Sequence, residues 1–155
     1  MNTNLILDTV NKLMAINTED DFTAIDVSVI DLKKCTADFI KYGAPYGFIV
    51  GNNGLRIVES NSLPLGILEE LKPSVCTTKL DNGDIILLIT DGIADAFGSI
   101  NDLIEYLRSL NALNPQTLAN DVLRKALEYS KGIKNDDMTA LAVRIFKRPK
   151  NIFTA

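Results

Sequence analysis

Two short segments, Thr90-Asp91-Gly92 and Asn135-Asp136-Asp137-Met138-Thr139, put carboxylates where strands are predicted to end. A carboxylate at the tip of a buried strand is fixed in direction by the sheet. Hard cations such as Mn²⁺ or Mg²⁺ are held by a few rigid oxygen donors completed by water. If the two strands are neighbours, Asp91 and Asp136 can share one metal ion. The same residues also read as an ordinary strand-exit turn and an ordinary polar loop, and spacing alone leaves both readings open.

Other chemistry is excluded more firmly. The chain contains no histidine, so Ser-His-Asp and Cys-His nucleophiles, histidine-ligated zinc and imidazole acid catalysis are absent. Catalysis would have to run on carboxylates, hydroxyls, lysines or a metal held by oxygen. The two cysteines, Cys35 and Cys76, are too far apart for a metal knuckle and too few for a disulfide framework. They are expected to be strand residues buried in a reducing cytoplasm.

The acidic segments depend on the elements around them. Apolar residues Leu5, Ile6, Val10, Leu13 and Met14 recur at helical spacing and predict a helix from Asn4 to Ala15. From Phe22 to Ile30 the alternation predicts a strand with Ile25, Val27 and Val29 on one face and Asp26 and Ser28 on a wetter one. A turn at Asp31 to Lys34 leads to a strand from Cys35 to Lys41. Strands at Tyr46 to Val50 and Leu55 to Glu59 flank Gly51-Asn52-Asn53-Gly54, a hairpin signal. Val75 to Leu80 is a further strand. Ile85 to Ile89, apolar throughout, predicts a central strand buried on both faces and ending at Thr90-Asp91-Gly92. Helices follow at Ile100 to Ser109 and Pro115 to Ser130, the second with Asn114 as cap and Pro115 at its first position. Their apolar stripes predict packing on a sheet. A strand from Met138 to Phe146 closes the core, and Lys147 to Ala155 form an unassigned tail.

A chain of 155 residues with 46% hydrophobic and 23% charged residues is one globular domain or most of one. It needs neither metal nor disulfide to hold a core. With 16 Lys+Arg against 20 Asp+Glu and the basic residues scattered, it lacks the clustered cations that nucleic acid or an anionic membrane would require. No apolar run reaches the ~20 residues of a membrane span. Proteins and divalent cations are the expected partners.

Taken in order, the segments are more specific than any one of them. Thr23-Ala24-Ile25-Asp26, Gly43-Ala44-Pro45, Leu63-Pro64-Leu65-Gly66-Ile67, Leu80-Asp81-Asn82-Gly83-Asp84, Thr90-Asp91-Gly92-Ile93-Ala94-Asp95-Ala96 and Asp136-Asp137-Met138-Thr139 resemble the catalytic domain of the bacterial metal-dependent serine/threonine protein phosphatases, most of all their sporulation branch. The similarity runs from about Leu5 to Phe146. It implies an α+β fold, an antiparallel β-sandwich flanked by helices, with a two-metal Mn²⁺/Mg²⁺ centre at one end.

By that resemblance Asp91 and Asp136 are ligands of one metal ion, while Gly92, Asp137 and Thr139 support them. Gly92 lets the backbone leave the strand beside the metal, and Thr139 orients Asp136. The implied reaction is hydrolysis of a phosphoserine or phosphothreonine by an activated water attacking phosphorus in line. The implied substrate is a phosphorylated anti-anti-sigma factor in the cytoplasm of a sporulating bacterium. The family carries a second Asp-Gly ahead of the first helix, and none precedes Leu5 here. The resemblance therefore implies a partial domain, the C-terminal two-thirds, with at most a partial metal site and weak or no activity alone. Sheet edges left uncovered would favour a homodimer. The alternative is a non-catalytic binding module that kept the fold.

Overall fold

In the computed structural model, which describes residues 3–16, 22–44, 46–111, 114–131 and 136–146, alternating apolar side chains divide the strands between two antiparallel sheets. The elements run α1 (Thr3–Ile16), β1 (Ile25–Asp31), β2 (Thr36–Tyr42), β3 (Tyr46–Gly51), β4 (Gly54–Glu59), β5 (Ser74–Lys79), β6 (Ile85–Ile89), α2 (Asp91–Ala96), α3 (Ile100–Ser109), α4 (Pro115–Tyr129) and β7 (Ala140–Arg144). One sheet has the order β1-β2-β5 and the other β4-β3-β6-β7. The antiparallel sandwich expected from the sequence is present.

Strand periodicity assigns each face. Along β6, Ile85, Leu87 and Ile89 turn to one side and join Leu103 and Leu107 of α3 and Leu118, Val122 and Ala126 of α4. Ile86, between them, turns to the other side and meets Phe39 of β2 and Ile49 of β3 in the space between the sheets. β6 is therefore buried on both faces, as its unbroken apolar sequence predicts. The outer face of the first sheet is covered by α1, whose Leu7 packs with Ile40, Tyr42 and Leu65. The result is four layers, with helix outside each sheet.

Two polar groups fasten these layers. Asn11, fully buried on α1, donates from Nδ2 to the carbonyl oxygens of Leu68 and Glu69 at 2.8 and 3.0 Å and accepts the Gly66 N–H at 3.0 Å. Asp84, buried just before β6, pairs with Arg56 of β4, and Arg56 also donates to the Lys79 carbonyl of β5 at 2.7 Å. One guanidinium thus bridges the two sheets.

Three expectations change. The polar face of β1 is not its solvent face: Ile25 and Val27 pack under α1, while Asp26 and Ser28 line a cleft between the sheets with Ile86, Leu88, Leu141 and Val143. Sequence alternation gives two faces but not which one a helix will cover. The cysteines are not buried strand residues. Cys35 sits half-exposed in the β1–β2 turn with φ of 54°, and Cys76 is exposed on β5. Nor does Asp91-Gly92 form a turn. Both residues open α2, a helix too short to show a periodic stripe.

Among the described residues β1 and β7 each pair on one side only, and Leu141 and Val143 of β7 are exposed. Among the described residues no helix is long and apolar enough to cross a membrane. The tail from Lys147 to Ala155, and Asn135 of the second acidic segment, lie outside the described residues.

Candidate metal centre

The pairing of β6 with β7 brings the two acidic segments together. Its last rung is Ile89 opposite Ala140, so Thr90 and Thr139 meet one step beyond the sheet. The Thr90 N–H donates to the Thr139 carbonyl at 3.1 Å. The Thr139 N–H donates to Thr90 Oγ1 at 2.9 Å, and that hydroxyl donates to the Asp137 carbonyl at 2.8 Å. Three hydrogen bonds therefore lace the end of β6 to the segment entering β7.

Gly92 makes the approach possible. A Cβ there would stand 2.6 Å from the Asp137 carbonyl oxygen and 3.2 Å from Asp136 Cβ, well inside ordinary contact distance. The glycine serves a close approach between chain segments, within a helix, and not a tight exit from a strand.

Asp91 and Asp136 are both exposed, one on each side of this contact. In each, Oδ1 accepts the N–H of the following residue: Gly92 at 3.0 Å for Asp91, Asp137 at 2.7 Å for Asp136. Such bonds orient a carboxylate without neutralising it. No Lys or Arg among the described residues pairs with either one. Two anionic oxygen-donor groups held on abutting segments suit a hard cation. Among the described residues no three acidic or thiol side chains converge as a metal cage. Asp137 is exposed and contributes its carbonyl to Thr90, while Thr139 contributes its main chain.

Beside the pair lies a cleft of about 440 Å³ lined by Gly92, Asp95, Ala96, Tyr129, Ser130, Asp136 and Met138. Asp91 does not line it. Asp95 is a residue that reading for metal motifs passes over. It follows Asp91 by one helical turn, and only the presence of α2 turns it toward the cleft. Tyr129 forms its far wall and is fixed edge-on against Phe97, ring centroids 5.2 Å apart.

Solved structures define the class. The chain superposes on the phosphatase domain of the cell fate determinant SpoIIE from Bacillus subtilis, presoaked with Mn, with a TM-score of 0.74 and 26% identity, covering 97% of this chain and 68% of that one. Against a structure of the SpoIIE PP2C phosphatase domain with a fragment of its regulatory domain, the TM-score is 0.83 and the identity 27%, covering 94% of this chain and 44% of that one. The RsbU and RsbW domains of a Mycobacterium tuberculosis protein share the fold, with a TM-score of 0.79 at 23% identity over 96% of this chain and 44% of that one. The fold is that of the PP2C-type phosphatase domains.

Within that class, residues 1–146 match the family described as Stage II sporulation protein E (SpoIIE), and the chain belongs to that family. It is 27% identical over 146 residues to stage II sporulation protein E of Bacillus subtilis and 22% identical over 146 residues to that of Priestia megaterium. Each alignment covers 91% of this chain, but only 18% and 25% of the respective relatives.

Proposed function

We propose that this chain contributes one metal-binding half of a protein serine/threonine phosphatase site, with Asp91 and Asp136 as ligands to a shared Mn²⁺ or Mg²⁺. The observation that carries the reading is the contact of Gly92 with the Asp136-Asp137 segment, which sets the two carboxylate-bearing residues side by side. Family membership and the Mn-presoaked relative support the choice of metal. When bound, the cation supplies charge neutralisation at the phosphoryl oxygens and an activated water.

The chain's own groups do the positioning. Gly92 and Asp137 N–H groups orient the two carboxylates. Asp95, Tyr129 and Ser130 wall the adjoining cleft, where a phosphoserine or phosphothreonine segment would lie. The phosphoprotein substrate is a regulatory protein of the anti-anti-sigma class, acted on in the cytoplasm. Two protein carboxylates are too few for a binuclear centre, so the chain by itself turns over phosphopeptide weakly or not at all. The uncovered β1 and β7 edges also favour association with a second copy, which light scattering at rising concentration would detect as dimer; a clean monomer would count against it.

Calorimetric titration of Mn²⁺ into the chain tests the site. Binding that is lost in Asp91→Asn and in Asp136→Asn is the expected result. Binding unaffected by either substitution would overturn the ligand assignment. Absence of binding in the unaltered chain would favour a protein-docking module that retained only the fold.

A further inference from the structure

We infer that the Thr90 hydroxyl is a positioning residue for the metal site, a clasp that holds the Asp136 segment in register with Asp91; the inference rests on the ligand reading just given. Thr90 stands at the N-cap of α2, in extended conformation. A threonine there ordinarily accepts a hydrogen bond from an amide in the first helical turn. Here that bond is absent.

The hydroxyl is turned the other way. It donates to the Asp137 carbonyl at 2.8 Å and accepts the Thr139 N–H at 2.9 Å, so its donor and one acceptor position both go to the opposite segment. Asp136 is the neighbour of one of those partners. A short helix leaves its cap unmade while the same oxygen ties down the two main-chain groups on either side of Met138. With Gly92 pressed against the Asp137 carbonyl, the Asp136 segment is held from two sides. Thr90 is not one of the proposed ligands and acts through the loop that carries Asp136.

The test compares Thr90→Val, which keeps the shape but loses both hydrogen bonds, with Thr90→Ser, which keeps the hydroxyl. Amide exchange of Thr139 is followed in metal-free protein, and Mn²⁺ affinity by calorimetry and by the Mn²⁺ electron-spin resonance signal. Thr90→Val should speed exchange at Thr139 and weaken Mn²⁺ binding by roughly 10-fold or more, the usual scale for groups supporting a ligand. Thr90→Ser should stay within about 2-fold of the parent on that same scale. Should Thr90→Val not fold, Thr90→Ala makes the same comparison. Faster exchange with unchanged Mn²⁺ affinity would overturn the positioning role, as would a Ser variant as weak as the Val. If the unaltered chain binds no Mn²⁺, the ligand reading itself fails and the clasp's role falls with it.

Discussion

Lys41 lies directly opposite Asp26 in the β1–β2 register, and its ammonium pairs with the Asp26 carboxylate between the sheets, where Lys41 is only 1% exposed. Neither Asp26 Oδ1 nor the neighbouring Ser28 Oγ has a hydrogen-bond partner among the described residues. The pair is therefore buried without full satisfaction, the arrangement in which removing one partner costs most. Lys41→Met should destabilise the fold by about 3–5 kcal/mol, because it leaves the buried Asp26 side chain without its partner. Adding Asp26→Leu should return most of that loss. Urea unfolding of both variants measures it, and a neutral Lys41→Met would contradict the interpretation.

Gly92→Ala reverses the usual rule for helices. Inside an exposed helix that change stabilises by up to about 1 kcal/mol. Here the new methyl would meet the Asp137 carbonyl at 2.6 Å, and overpacking against backbone costs about 1–3 kcal/mol. A lowered melting temperature together with weakened Mn²⁺ binding is expected. Ala stabilising the protein would show that α2 and the Asp136 segment are not in contact.

Asn11→Ala should detach the segment from Gly66 to Glu69 from α1. It would leave one N–H and two carbonyls without their side-chain partner, each worth about 1–3 kcal/mol if it stays buried. Asn11→Asp should be at least as harmful, since a carboxylate cannot donate to the Leu68 and Glu69 carbonyls. Chemical denaturation gives the total, and faster amide exchange at Gly66 locates it.

Titration should show acid and base limits with different origins. The Asp31 carboxyl is held below its ordinary range, first by the Lys34 N–H, and the Glu128 carboxyl by hydrogen bonds from Lys125 and then Arg124. Both groups contribute stability above the unfolded carboxylate range and lose it as pH falls through the lowered values. They are solvent-exposed, so the effect should be small and reduced by salt. Burial raises the phenols of Tyr42 and Tyr106. Their contribution is complete below the normal tyrosine range and disappears as pH rises through the raised values. Spectrophotometric titration at 295 nm should therefore show Tyr42 and Tyr106 ionising late. Midpoints at or below the ordinary tyrosine value would contradict their burial.

How far these features were legible in the sequence depends on the reach of each signal. The uninterrupted apolar sequence of β6 revealed a strand covered on both sides, and the Asn-Gly turn between β3 and β4 fixed a hairpin, because both signals are local. Asp91 and Asp136 could be singled out from their motifs, but their proximity rests on β6 pairing with β7 across a stretch of sequence that holds α2, α3 and α4. Helix α2 was missed because six residues make under two turns, and with it went Asp95. Thr90 looked like a turn residue, since nothing local shows a hydroxyl forsaking its own helix for another loop. The direction in which β1 presents Asp26 was likewise undetermined until α1 had covered the opposite face.

The alternation Ala140-Leu141-Ala142-Val143-Arg144, paired rung by rung with β6, has a reach beyond the sheet. Asp136 is only four residues upstream of the first rung, so the phase of this last strand sets where that carboxylate stands. A slip of one residue would exchange the alanines facing α4 for Leu141 and Val143 and is opposed by packing. A slip of two would keep the faces but carry Asp136 about 7 Å along the strand axis, several times a metal–oxygen bond length. Small side chains on the helix side and larger ones on the other thus exclude the odd slip, while the Thr90 hydrogen bonds to Asp137 and Thr139 fix the even one, and together they set the distance the cation would have to span.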